Sequence, residues 1–315
     1  MNKPKMIMMC GLPASTKSTK ARELAEEYNA TIYSSDEIRK ELLGDENSQD
    51  NNNLVFSTLH SRIKATLSNG HNCIYDACNI SYKRRMAFLN ELNKIPCEKI
   101  CVFMATPFEK CLVNNANRDR VVPYSVIERM YRHFDVPYYY EGWDSIEVVY
   151  ANEEYKGYYG SPFDFISHYK HYNQDNSHHQ LTLGEHCDKA WNYVYAKQSN
   201  WNTERRVNDV ELTFATMLHD CGKPFCKIFK NSKGEVTEQA HYYDHEKVGS
   251  YNSFFYANAC VCNSLYVAVL IRWHMMPYFW EKDNNEKMHD KYKKLWGEEL
   301  YENIMLLHRA DKFAH

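Results

Sequence analysis

The stretch Gly11-Leu-Pro-Ala-Ser-Thr-Lys17-Ser18-Thr19 decides how the first half of the chain is read. It follows the apolar run Met6–Cys10 and leads into the amphipathic segment Ala21–Tyr28, a succession of strand, turn and helix. The pattern is G-x-x-x-x-T-K-S, where a phosphate-cradling loop has G-x-x-x-x-G-K-S/T. In such a loop Gly11 opens the turn, and backbone N–H groups around Ser15, Thr16 and Thr19 wrap phosphate oxygens at the helix N-terminus. Lys17 reaches the β/γ oxygens and Ser18 holds Mg²⁺. Thr16 is the departure. Glycine tolerates positive φ and close phosphate approach there, whereas a β-branched residue forced into that conformation costs about 1–2 kcal/mol. A decayed loop that no longer takes nucleotide is the competing reading.

Outward from this loop, β-like runs at Lys5–Cys10, Thr31–Ser34, Cys73–Asp76, Lys99–Phe103 and Ile146–Tyr150 alternate with helix-length segments. Such alternation predicts an α/β domain, a parallel five-stranded sheet with flanking helices. Later segments change period: Leu183–Gln198, Asp209–His219, His245–Asn258, Leu265–His274 and Leu300–Phe313 read as helices of an all-α domain. Histidine follows the same division, with His60, His71 and His133 before residue 150 and the other 12 of the 15 after it. We therefore expect domains over 1–152 and 176–315, joined by a Tyr-, Gly- and Ser-rich linker or docking segment, 153–175. A chain of 315 residues has room for two cores.

Charge narrows the function classes. Lys plus Arg total 38 against 41 Asp plus Glu, a net charge of −3, which argues against a protein that coats nucleic acid but leaves recognition of an end open. No apolar run approaches the ~20 residues of a membrane span, and no cleavage site follows the N-terminal apolar stretch. The 11 Cys lack paired C-x-x-C spacing and fit reduced thiols better than a disulfide framework or zinc ribbon. The expected location is cytoplasmic, of the host if the chain is phage-encoded.

Three further segments surround the loop. Ser34-Ser35-Asp36-Glu37-Ile38-Arg39 puts Asp36 just after the second strand with Arg39 one helical turn on. Asp36 reads either as a base for an acceptor hydroxyl, with Arg39 on a neighbouring phosphate, or as a helix cap with a surface Arg. Asp76 ends the Cys73–Asp76 strand and suits Mg²⁺ or the acceptor. Lys83-Arg84-Arg85 reads as a solvated helix face, or as cations that meet phosphate. With Asp76-Ala-Cys-Asn79 and Asn117-Arg118-Asp119-Arg120-Val-Val-Pro123, these segments occur in one order, and in that order residues 1–150 resemble a bacteriophage-type polynucleotide 5′-kinase, a P-loop kinase. The resemblance implies ATP and Mg²⁺ as cofactors and Asp36 as general base for a 5′-hydroxyl. It also implies Arg39 on the acceptor's phosphate, and a lid carrying Arg118 and Arg120 to the ATP phosphates. Asn114 stands where that family commonly has an earlier lid Arg, and such an Arg is worth about 10³–10⁵ in rate.

In the second half, His219-Asp220-Cys221-Gly222-Lys223-Pro224 closes an apolar helix. Adjacent side chains do not share a helix face, so His219 and Asp220 can serve one ion only where the helix ends, as Gly222 and Pro224 arrange. His186, His245 and His274 fall at other helix ends, and Asp311 on the last helix. A lone histidine in a helical domain is usually structural. This series, however, resembles the HD phosphohydrolase superfamily over about 140 residues. The resemblance implies His186, His219, Asp220 and Asp311 as core ligands, with His245 and His274 as the extra histidines of two-metal members. Residues 225–248 look particularly like the HD domain of tRNA nucleotidyltransferases. One or two divalent transition metals such as Mn²⁺, Fe, Co²⁺, Ni²⁺ or Zn²⁺ are implied. Lys223 is then either a phosphate-side cation or a surface residue, and His178 and His179 could line the entrance.

Together the resemblances imply a bifunctional RNA end-healing enzyme. It would be an ATP-dependent 5′-hydroxyl kinase and a metal-dependent 2′,3′-cyclic phosphodiesterase or 3′-phosphatase acting on RNA ends, tRNA among them. No ligase motif is legible, so a separate RNA ligase would finish repair. Two alternatives stay open: an HD hydrolase of small nucleotides with a degenerate P-loop domain as nucleotide sensor, and a first domain that only binds.

Overall fold

The computed structural model describes residues 3–48, 50–177, 180–199, 209–257, 263–282 and 285–315. The chain divides into two units, residues 1–131 with 137–155, and residues 132–136 with 156–315.

The first unit runs β1 (Lys5–Cys10), α1 (Lys17–Tyr28), β2 (Thr31–Ser34), α2 (Ser35–Leu43), α3 (Asn52–Ser68), β3 (Cys73–Asp76), α4 (Tyr82–Glu91), β4 (Glu98–Ala105), α5 (Phe108–Ala116), α6 (Tyr124–Arg132) and β5 (Ser145–Tyr150). Its strands pair in parallel in the order β2-β3-β1-β4-β5. The expected five-stranded sheet is present. β1 is buried on both faces, which is why Met6–Cys10 reads as an unbroken apolar run. One face sets Ile7, Met9, Ile74, Ile100, Val102 and Met104 against Ala21 and Leu24 of α1. Because all strands run the same way, the carboxyl ends of β1, β2 and β3 share one edge, and the register sets Ser34 beside Asp76.

The second unit holds α7 (Pro162–His168), α8 (Leu183–Ser199), α9 (Asp209–Leu218), α10 (Lys223–Cys226), β6 (Ile228–Lys230), β7 (Val236–His241), α11 (His245–Asn252), α12 (Ser264–Trp273), α13 (Met276–Lys282), α14 (Glu286–Trp296) and α15 (Glu298–Ala314). α8 packs on α15 and α9, and α12 on α11 and α9. The expectation of an all-α domain needs correction, because β6 and β7 form an antiparallel hairpin. Its turn carries Gly234 in the left-handed region, with Gly234 N–H donating to the Asn231 carbonyl. The helix expected over 245–258 ends at Asn252 and runs into a tight 3₁₀ turn, Ser253–Phe255. Within 153–175, read as linker, the Pro162–His168 helix is opened by a capping box between Ser161 and Asp164 and packs on α8.

Gly222 explains the corner after α9. A β-carbon there would lie 2.1 Å from the His245 carbonyl oxygen and 2.6 Å from the Gly249 nitrogen. Two backbones touch at that point. His219 and Asp220 are thereby brought against the helix that begins at His245.

Candidate functional sites

The phosphate loop joins β1 to α1, and Thr16, the N-cap of α1, has φ 67° and ψ 16°. The position that ordinarily takes glycine is left-handed here too, so Thr16 carries the strain its sequence implies. Lys17 Nζ donates to the Leu12 carbonyl (2.6 Å) and lies 3.4 Å from Ser15 Oγ. Ser18 Oγ donates to Asp76 Oδ2 at 2.8 Å. Of the two roles open to Asp76, this favours Mg²⁺, since the loop hydroxyl and the carboxylate face one point. Gly11 donates its N–H to the Cys78 carbonyl, while Thr19 stays in the first turn of α1.

Asp36 is not the cap of α2. Ser34 caps it, its Oγ accepting from the Asp36 N–H. The Asp36 carboxylate is thereby available to two guanidinium groups, with Arg39 Nη1 on Oδ1 (2.9 Å) and Arg120 Nη1 on Oδ2 (2.8 Å). Arg39 is buried and also donates to Asn52 Oδ1, and Arg120 donates to the Glu46 carbonyl. Arg120 therefore meets Asp36 and the Glu46 backbone. Arg118 is exposed on the turn between α5 and α6.

Two groups take unexpected places. Arg85 is 1% exposed and donates Nε and Nη2 to Glu141 (both 2.7 Å) and Nη1 to the Asn79 carbonyl. It is a structural ion pair and offers nothing to RNA; within the basic triplet Lys83 and Arg84 are the exposed members. Asn114, at the position of the family's earlier lid Arg, donates to the Ala14 carbonyl in the phosphate loop. Asn115 exchanges two hydrogen bonds with Val122 and so fastens the turn that carries Arg118 and Arg120. Neither Asn115 nor Glu141 carried a readable motif.

In the second unit all six expected ligands are buried and converge. Three imidazoles use one device: Nδ1 of His219, His245 and His274 donates to the carbonyl three residues earlier, of Thr216, Tyr242 and Ile271. A carbonyl only accepts, so Nδ1 carries a proton and Nε2 is the ring nitrogen left to give a lone pair to a cation. Those Nε2 atoms face one another, His186 to His219 at 3.0 Å and His245 to His274 at 3.4 Å. Each facing pair of ring nitrogens needs a cation between them, a proton or a metal ion.

Asp220 joins the two pairs. Its Oδ2 lies 3.3 Å from both His186 Nε2 and His219 Nε2, and its Oδ1 lies 3.2 Å from His245 Nε2 and 3.9 Å from His274 Nε2. Asp311 Oδ1 lies 3.1 Å from His186 Nε2. Two donors at ~2.1 Å from one ion, 90–109° apart, are roughly 3.0–3.4 Å from each other, and every one of these spacings except the 3.9 Å from Asp220 Oδ1 to His274 Nε2 falls in that range. Asp220 Oδ2 accepts no well-directed hydrogen bond, although Lys223 Nζ is 2.7 Å away.

Burial opposes a charge on His219, but Asp220 and Asp311 outweigh it and raise its pKa to about 10. Burial likewise pushes His274 down to about 3, helped by His219 and His245. Asp311 and Asp220 thus favour positive charge at His219, and an ion bound there would take the place of the Nε2 proton. Imidazole and carboxylate donors fit the divalent transition metals expected above.

Lys223 is buried; it ion-pairs with Asp220 and donates to Gln174 Oε1 (2.8 Å), whose amide nitrogen holds the Leu181 carbonyl. Gln174 was missed because it falls in the segment read as linker. His178 and His179 lie outside the described residues.

Residues 6–137 match the family described as an AAA domain. The L-seryl-tRNA(Sec) kinase of Methanococcus maripaludis is 25% identical over 154 residues, a match covering 46% of this chain and 58% of that kinase. A putative kinase from Chloroflexus aurantiacus has 18% identity and a TM-score of 0.40, covering 48% of this chain and 86% of its own. A chain of the Pnkp1/Rnl/Hen1 RNA repair complex has 22% identity and a TM-score of 0.36, with 41% of this chain and 43% of that one covered. By family match, loop and strand order, the first unit is a P-loop domain of the AAA type, with a kinase among its relatives. Among the described residues, no helix is long and apolar enough to cross a membrane.

Proposed function

We propose that this chain is a bifunctional RNA end-healing enzyme, with a 5′-hydroxyl kinase in the first unit and an HD-type phosphohydrolase in the second. The observation that carries this reading is Asp36 between Arg39 and Arg120, beside the Ser18–Asp76 pair. A nucleotide sensor has no use for a carboxylate bracketed by guanidinium groups next to its phosphate loop. An acceptor with a free hydroxyl and an adjacent phosphodiester uses both parts.

In the kinase, Lys17 would exchange the Leu12 carbonyl for the β/γ oxygens of ATP, and Ser18 and Asp76 would hold a Mg²⁺ that neutralises charge on them. With Arg39 and Arg120 turned to acceptor phosphate, Asp36 would take the hydroxyl proton as that oxygen bonds to the γ-phosphorus and ADP leaves. In the second unit, His186, His219, Asp220 and Asp311 would hold one divalent ion and Asp220, His245 and His274 another. Ions bound there would acidify a water and clamp an in-line displacement at phosphorus. Lys223, fixed by Gln174, supplies a cation beside the bridging carboxylate, within reach of a substrate phosphoryl oxygen. Hydrolysis of a 2′,3′-cyclic phosphate or 3′-phosphate, with a separate ligase to follow, completes the sequence. A match in part to a kinase of aminoacylated tRNA supports a nucleic-acid acceptor.

The test is to incubate purified protein and divalent metal with RNA bearing a 5′-hydroxyl and a 2′,3′-cyclic phosphate, with and without ATP, and to map both ends. A 5′-phosphate that requires ATP and a 3′ change that does not are expected. Equal or better turnover of mononucleotides favours the small-nucleotide hydrolase instead.

A further inference from the structure

The geometry points to His315 as a further ligand of the ion held by His186, His219, Asp220 and Asp311, an inference that rests on the metal reading above. His315 stands four residues beyond Asp311 on the turn that closes α15, so both side chains lie on one helix face. Its Nε2 is 3.2 Å from Asp311 Oδ1, the same oxygen that lies 3.1 Å from His186 Nε2 and 3.7 Å from His219 Nε2. One donor atom each from His186, Asp311 and His315 fits within 4.8 Å. The His186 and His315 rings are 5.4 Å apart, and Tyr278 lies nearly parallel to His315, at 20° and 6.2 Å between centroids. Two of the three imidazole nitrogens around that oxygen, those of His186 and His315, stand at the spacing of ligands on one ion. His315 would give that ion five protein donors. The ion between Asp220, His245 and His274 would have three.

The asymmetry has a chemical consequence. Five protein donors leave at most one octahedral position open and hold their ion tightly, whereas three leave several positions for water and substrate. The His245–His274 side is then the exchangeable one, where substrate binds.

Co²⁺ titration of the full chain, read by its visible absorption and by competition with a chelator, tests this on His315→Ala and His315→Gln. Gln keeps a hydrogen-bond donor for Asp311 but lacks the imidazole. Expected is that wild type takes up two Co²⁺ of unequal affinity. In both variants the tighter ion should be lost at a roughly 10–100-fold lower chelator level, with a changed absorption band, and the weaker ion kept. Unchanged affinity and band in both variants overturn the inference alone. So does a weakened His315→Ala beside a wild-type His315→Gln, which would make His315 a hydrogen-bond partner of Asp311. A wild-type chain that takes up no Co²⁺ overturns the metal reading itself.

Discussion

Thr16 concentrates the question of whether the phosphate loop works. Its φ of 67° costs a β-branched residue about 1–2 kcal/mol, or roughly five- to thirtyfold in rate if released in the transition state. Thr16→Gly should therefore raise ATP-dependent 5′ labelling of RNA up to about tenfold, Thr16→Ala should not, and Lys17→Ala should abolish it. A rate unchanged by all three would mean that the loop does no chemistry. Arg120 is the second residue to probe. It sits on Asp36 rather than over the nucleotide side, so Arg120→Ala should raise the KM for a 5′-hydroxyl oligonucleotide more than the KM for ATP. A larger effect on ATP would restore the lid role. Lys17, Ser18, Asp76 and the six converging His and Asp residues of the second unit were legible because the chemistry expected of them demands fixed types at fixed spacings. Glu141, Gln174 and His315 were not, because their partners Arg85, Lys223 and His186 are 56, 49 and 129 residues away and only tertiary packing brings them together.

Among the elements, two junctions bear on stability. The buried Arg85–Glu141 pair joins α4 to the segment before β5 and also takes the Trp143 indole N–H on Glu141. Arg85→Met alone strands a buried carboxylate and should cost about 3–5 kcal/mol, whereas Arg85→Met with Glu141→Leu should cost clearly less, measured by urea unfolding. Equal losses would mean that the guanidinium packs without its charge mattering. Gly222 is the other junction: a β-carbon 2.1 Å from the His245 carbonyl must push α11 away, so Gly222→Ala should lower stability by about 3 kcal/mol and weaken metal uptake. The strands of the sheet were legible from apolar runs broken by turn signals. The hairpin of the second unit was not, since Ile228, Phe229 and Val236 are exposed and no buried face imposes an alternation.

For the whole molecule, a net charge of −3 leaves few cations for RNA, and Arg85 is withdrawn from that set by Glu141. Binding of single-stranded ends should follow a log–log salt slope of about −0.7 for each phosphate contacted, so two or three contacts give a shallow dependence. Two chemistries on separate cores should also fail separately. The most direct measurement follows one RNA, with a 5′-hydroxyl and a 2′,3′-cyclic phosphate, through wild type, Lys17→Ala and Asp220→Ala in the presence of ATP and metal, mapping both ends. Lys17→Ala should leave the 5′-hydroxyl untouched while opening the cyclic phosphate at the wild-type rate, and Asp220→Ala should do the reverse. Wild-type protein that alters neither end, or a single substitution that silences both in folded protein, would contradict two independent end-healing sites.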